Sequence, residues 1–311
     1  MKRLELRTQT LVIGLTLFLL PACAPAPAPD RTRFNNPDDA ASALMNALKN
    51  NNAEDVKAIF GSNAEALSSG DPVSDRNDRN AIALAMESSW RWEKAGADRM
   101  ELIIGDEEWP FPVPLAEVRR GWQFDTDAGK EEVLSRRIGR NELRAIGVCR
   151  KSVTIQKEYA SRPRDGKRAG LYAQTLASSA GRQDGLYWRA GGKELQSPLG
   201  DLAAQAVVEG YDLNKDASEP LWGYHFRVLT AQGSAAKGGA QSYLVNGEMS
   251  GGFGLIAYPD EYGRSGIMTF MVNQDGVVYE KDLGEDTLKL APGLKTYDPD
   301  NTWAEVKTAG T

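Results

Sequence analysis

The feature that most constrains this fold is a repeat in the middle of the chain, between Glu131 and Tyr159. Apolar and small side chains recur there at alternating intervals of four and three residues. That spacing places them on one face of an α-helix. The repeat therefore predicts one long helix, with a face formed by Leu134, Ile138, Asn141, Ala145, Val148, Ser152, Ile155 and Tyr159.

The segment before the long helix predicts helices first and strands afterwards. Asn36 is a helix-capping residue followed by Pro37 and two acidic residues, which is a typical helix start. The expected helices are 37–48, a second one between Asn52 and Gly61, and 81–92, with a chain break at Asp71-Pro72. The expected strands are 100–104 and 121–124. This order predicts an N-terminal α+β domain over 32–128.

The region beyond Gly210 is rich in predicted strands. Asn246-Gly247 and Asp275-Gly276 are hairpin-turn signals between alternating apolar segments. The expected strands are 224–230, 241–245, 253–258, 266–272 and 277–281. The pattern predicts a C-terminal domain over 129–311, in which the long helix packs on an antiparallel sheet, so the fold class is α+β.

The first residues predict export. A basic segment precedes an apolar run from Leu11 to Leu20, and the chain continues Pro21-Ala22-Cys23. The residues Leu20-Pro21-Ala22-Cys23 resemble a bacterial lipobox. The resemblance implies a signal peptide over 1–22 and a lipid on Cys23. Ordinary cleavage after Ala24 is the alternative. Residues 23–31 then form a Pro-Ala tether. Ala24 after the cysteine favours the outer membrane, by resemblance to the sorting rules of two-membrane bacteria.

Composition excludes several classes of function. The net charge of −6 and a pI near 5.1 argue against nucleic-acid binding, which usually needs a basic surface. One histidine, His225, and two cysteines cannot build a Cys/His zinc site. Asp212, Asn214 and Asp216 open like a calcium loop, but the later glycine and glutamate positions do not fit. We therefore expect no metal and no cofactor.

Two groups of residues are candidates for binding. Arg136, Arg140 and Arg144 lie four residues apart on one helix face, which suits an anionic partner or, alternatively, a solvated face paired with acidic neighbours. Aromatic residues suit a peptide or glycan contact, or else core packing. These are Trp109, Phe111, Tyr187 and Trp188.

Carboxylates are the only candidates for catalysis. Asp106, Glu107 and Glu108 precede Trp109, and glycoside hydrolysis needs two carboxyls and often a ring that stacks on sugar. Adjacency in sequence does not place two carboxyls on opposite sides of a cleft. The leading hypothesis is a non-enzymatic envelope lipoprotein of the periplasm that acts as a binding or assembly factor, with an envelope protein or glycan as its partner. The alternative is a carboxylate-dependent hydrolase of cell-wall or extracellular glycan.

Several sequence segments, which occur in the same order along the chain, resemble domain-of-unknown-function family 2950. They are 105–115, 121–126, 136–142, 184–188, 197–200 and 281–284. The resemblance covers nearly the whole mature chain and implies a bacterial exported protein, often a lipoprotein, without an established activity.

Two fainter resemblances concern the fold. The start at Pro37 and the later strand from Gly121 are similar to the cone-shaped fold of the nuclear-transport-factor-like superfamily. Residues 141–150 and 223–229, with the strands up to Gly276, resemble the globular part of type IV pilin-like proteins and pseudopilins. The second resemblance implies a helix laid on an antiparallel sheet, without filament assembly.

Overall fold

A computed structural model describes residues 30–189, 196–212 and 219–307. The predicted signal peptide, Cys23 and most of the tether lie outside the described residues, as do Asn214 and Asp216. Within the described part of the chain, no helix has both the length and the apolar character needed to cross a membrane.

The N-terminal helices begin at capping side chains. They are α1 Pro37–Lys49, α2 Ala53–Phe60, a 3-10 helix Ser62–Leu67 and α3 Pro72–Ser88. The predicted break at Asp71-Pro72 is wrong, because the Asp71 carboxylate accepts the backbone N–H groups of Val73 and Ser74 and so starts α3. The predicted helix 81–92 therefore begins earlier, and it ends at Ser88.

An antiparallel sheet packs against these helices. Its strands are β1 Trp90–Lys94, β2 Arg99–Ile104, β3 Trp109–Pro110, β4 Leu115–Val118 and β5 Gly121–Phe124. The order is β1-β2-β4-β5, with β3 also paired to β2. The N-terminal core between the helices and the sheet contains Leu44, Leu102, Leu115 and Phe124, all fully buried.

The predicted long helix is confirmed as α4, Thr126–Ala160. Its first half packs on the N-terminal core through Val133, and its middle packs on the C-terminal sheet through Ala145 and Cys149. The Asn141 side chain donates to the Ser265 carbonyl at 2.9 Å. One helix thus carries side chains of both cores.

The C-terminal region has a helix that the sequence patterns did not predict, α5 Gly200–Glu209. Its strands are β6 Tyr224–Leu229, β7 Ala231–Gln232, β8 Gln241–Ser242, β9 Leu244–Val245, β10 Glu248–Met249, β11 Gly254–Pro259, β12 Met268–Asn273, β13 Val278–Asp282, β14 Thr296–Tyr297 and β15 Ala304–Glu305. The main sheet is antiparallel, in the order β15-β13-β12-β11-β6. A short helix, α6 Thr287–Leu290, follows β13.

The predicted strand 241–245 is divided into two short strands at Tyr243. That side chain is fully buried, and its hydroxyl donates to Gln232 at 2.9 Å, so the backbone turns there. The mixed α+β class is confirmed. The nuclear-transport-factor-like and pilin-like resemblances and the domain boundary at 128 stay predictions.

Side chains join the N-terminal helices to the C-terminal region. The Tyr211 hydroxyl donates to Asp71 at 2.6 Å, and the Asn77 amide donates to the Glu209 carbonyl at 2.9 Å. The guanidinium of Arg264 also reaches the Ser68 carbonyl, at 3.4 Å. The loop before α3 therefore contacts both halves of the chain.

Candidate binding cavity

A cavity of about 710 Å³ lies within the N-terminal region, between α1, α2, the 3-10 helix, α3, the β3–β4 segment and the first half of α4. We call it the N-terminal cavity. Its volume falls inside the range of roughly 300–1,000 Å³ that is common for small-molecule sites. The buried part of its lining consists of six apolar residues and one cation, namely Leu44, Leu48, Phe60, Ile104, Phe111, Val113 and Arg137.

The cavity opens to solvent, because Lys57, Glu65 and Ala81 line it and are exposed. Its wall along α4 carries cations beside the apolar side chain of Val133. Arg136, Arg137 and Arg140 all line it from that helix. The site therefore combines a mainly apolar interior with cationic side chains on the wall along α4.

Arg136 and Trp109 form one edge of the opening. The Arg136 guanidinium lies 4.8 Å from the centre of the Trp109 ring, a cation–π distance. The same guanidinium donates to the Pro110 carbonyl at 2.7 Å and pairs with Glu132 at 2.6 Å. Trp109 is 38% exposed and Phe111 is buried in the cavity wall. The structure thus brings three of the predicted binding residues to one place.

Arg140 connects α4 to α3. Its guanidinium lies 2.7 Å from the Asp78 carboxylate, and both side chains line the cavity. Both are also partly exposed, so the pair adds little stability. Its effect is to fix two polar groups at the opening.

Arg137 is the most buried of the cavity's charged side chains, at 5% exposure. Its guanidinium donates to the Leu67 carbonyl at 2.5 Å. Burial lowers the pKa of Arg137 from its ordinary value. The side chain still remains charged, because arginine titrates far above neutral pH.

The other predicted binding residues lie elsewhere. Arg144 pairs with Glu209 at 3.3 Å and stacks over Trp222. Trp188 is buried under the Arg164 guanidinium, 4.9 Å from its ring, and Tyr187 is half-buried beside it. These residues therefore take part in packing outside the N-terminal cavity.

The predicted catalytic carboxylates occupy the turn between β2 and β3, where all three are exposed. Asp106 accepts the Ser88 hydroxyl at 2.7 Å, and Glu108 pairs with Arg91 at 3.1 Å. Glu107 lies between them in the same turn. These contacts stabilise the turn and the end of α3.

The sequence patterns missed Arg137, because the predicted apolar face ran through Ile138. In the structure Arg137 is buried and Ile138 is only half-buried. Arg137 precedes Asn141 by one helical turn and follows Leu134 by three residues. A charged residue at such a position on the apolar face was the available signal.

Neither a metal cluster nor a reactive thiol is evident in the described part of the chain. Among those residues, no group of three or more His, Cys, Asp or Glu side chains could hold a metal ion. Cys149 is fully buried in α4, and burial raises the pKa of its thiol to about 12.

Fold and cavity together define a mixed α+β protein with a partly apolar cavity bordered by arginines. The chain belongs to the family described as Protein of unknown function (DUF2950), whose model matches residues 31–306. No curated protein and no solved structure matches the chain.

Proposed function

We propose that this protein is an exported envelope lipoprotein of the periplasm, anchored at Cys23 to the outer membrane, that acts as a non-enzymatic binding factor. Its N-terminal cavity holds the apolar part of a ligand. The observation that supports this function most is a cavity of about 710 Å³ whose buried lining is mainly apolar.

The chemistry of the lining favours an apolar ligand. The cavity is partly open to solvent, and its volume lies in the range that is common for small-molecule sites. Six of the seven buried lining residues are apolar, so contact with an apolar part of a ligand would remove apolar surface from water. An envelope protein or glycan as a further partner stays a prediction.

Filling the cavity tests this function. Val56 is half-buried in α2 and lines the cavity, so Val56→Trp would occupy part of the ligand's space. We expect the wild-type chain to bind Nile red, a neutral dye, saturably. Val56→Trp should weaken that binding about tenfold or more, which corresponds to about 1.4 kcal/mol. Dye fluorescence during titration gives both dissociation constants.

Val208→Trp is the matched control, because Val208 is 87% exposed on α5 and does not line the cavity. Its dye affinity should equal that of the wild type. Absence of saturable dye binding in the wild type, or equal affinity in the Val56→Trp variant, would contradict a ligand in this cavity.

Anchoring is tested separately in cells. Radiolabelled palmitate should be incorporated into the wild-type chain, and Cys23→Ser should abolish the incorporation because the acceptor thiol is lost. The wild type should also fractionate with outer membranes. Equal labelling of both chains would show that Cys23 is not the lipid site.

A further inference from the structure

The ligand of the N-terminal cavity can be specified further from Arg137. A buried guanidinium has five N–H donors that need acceptors, and buried cations are normally paired. Arg137 donates to the Leu67 carbonyl. Among the described residues, no carboxylate oxygen lies within 4.0 Å of its nitrogens. The charge of this side chain therefore lacks a close counter-ion.

The acidic side chains that face Arg137 are already engaged. Asp75 accepts the Ser68 hydroxyl at 2.5 Å and the Ser69 N–H at 2.8 Å. Asp78 pairs with Arg140. Both carboxylates raise the pKa of Arg137, but less than burial lowers it.

Other cations act on Arg137 or line the cavity. Arg264 reaches the loop before α3 and, like Arg140, lowers the pKa of Arg137. Lys57, Arg79 and Arg136 also line the cavity. The remaining acid, Glu65, is exposed on the 3-10 helix. The cationic lining residues therefore outnumber the acidic ones, with Lys57, Arg79, Arg136, Arg137 and Arg140 against Glu65, Asp75 and Asp78.

We propose that the ligand is a single-chain amphiphile with an anionic head, a carboxylate or a phosphate, and that Arg137 binds this head. The inference rests on the proposed function of the cavity. The alkyl chain occupies the apolar lining, and the head accepts hydrogen bonds from the Arg137 guanidinium and supplies the close negative charge that no carboxylate of the described residues provides. A charge-assisted hydrogen bond is roughly twice as strong as a neutral one, so the head decides the preference among ligands that share one alkyl chain.

The test compares ligands that share one alkyl chain. Hexadecanoate and hexadecyl phosphate carry anionic heads, and hexadecanol is the neutral match. The measurement is the displacement of Nile red from the purified chain by each ligand, at ligand concentrations below micelle formation. We expect at least one anionic ligand to bind about tenfold or more tightly than hexadecanol. Comparison of the two anions identifies the head group.

Arg137→Met removes the charge and keeps a stem of similar length. It should reduce the preference for the anionic ligand to about twofold or less and retain hexadecanol binding. Arg137→Lys, which keeps the charge, should retain part of the preference. Arg150→Met is the control, since Arg150 is exposed on the same helix away from the cavity and should leave the preference unchanged. Thermal unfolding checks that each variant folds.

The outcomes separate the two proposals. If Nile red does not bind the wild-type chain saturably, the proposed function of the cavity itself is wrong. If hexadecanol binds as tightly as both anions in the wild type, the cavity function stands and the anionic head is wrong. That wild-type comparison decides even if Arg137→Met does not fold. If the Arg137→Met variant still prefers the anionic ligand over hexadecanol, a residue other than Arg137 binds the anionic head.

Discussion

Replacing Phe124 by alanine is expected to lower the free energy of unfolding by about 3–5 kcal/mol, the cost that large-to-small substitutions of buried aromatic residues usually have. Phe124 ends β5 and is fully buried. Its ring lies 5.4 Å from that of Phe60, 6.1 Å from that of Phe111 and 6.3 Å from that of Phe34. Removing the ring would leave three aromatic neighbours without their common contact.

The effect should be visible in urea unfolding monitored by circular dichroism. Phe60 and Phe111 also line the N-terminal cavity, so we expect Phe124→Ala to weaken Nile red binding as well. Leu143→Ala is the control for stability. Leu143 is 72% exposed on α4, and its loss should change the free energy of unfolding by less than about 0.5 kcal/mol. A loss below about 1 kcal/mol for Phe124→Ala would contradict its central place in this core.

Two glycines of the long helix should respond in opposite directions to alanine. A Cβ atom at Gly129 would lie 2.7 Å from the Val113 Cα and 2.9 Å from the Pro112 carbonyl oxygen. These are backbone atoms, which cannot rotate away. Alanine gains about 1 kcal/mol of helix propensity over glycine, but overpacking costs about 1–3 kcal/mol. We expect Gly129→Ala to destabilise the fold by up to about 2 kcal/mol.

Gly139 lies in the same helix, and a Cβ atom there would meet nothing within 4 Å. Gly139→Ala should therefore stabilise the fold by about 0.5–1 kcal/mol, because only the propensity gain remains. Urea unfolding of both variants measures the difference. A stabilised Gly129→Ala variant would show that the β3–β4 segment gives way easily, and with it the wall of the N-terminal cavity formed by Pro112 and Val113.

Patterns of neighbouring residues correctly predicted the helices and the strand that such residues determine by themselves. Asn36 and Asn52 cap helices in the structure as their sequence contexts indicate, and the four-and-three repeat gives α4. The strand 121–124 has the predicted bounds. Asp71-Pro72 was misinterpreted because the same pair can end one segment or start a helix. The choice depends on the residues after the proline and on the Tyr211 hydroxyl, whose hydrogen bond Asp71 also accepts.

The candidate site was predictable only in part. Trp109, Phe111, Arg136 and Arg140 were singled out by residue type, and the structure places all four on the N-terminal cavity. Arg144, Tyr187 and Trp188 had the same kinds of signal but pack elsewhere. Residue type and spacing indicate that a side chain can bind, whereas its neighbours in space decide whether a cavity lies beside it.

The sequence alone determined the mixed α+β class, the position of the long helix and the family. Helix capping, apolar periodicity and family-specific segments each depend only on residues that are close together in the sequence. Only the tertiary structure decided that a cavity exists and that Arg137 is buried in its wall. A cavity is space left between elements distant in sequence, here α1 to α3, the β3–β4 segment and α4. Its existence depends on how closely those elements pack, which no local pattern encodes.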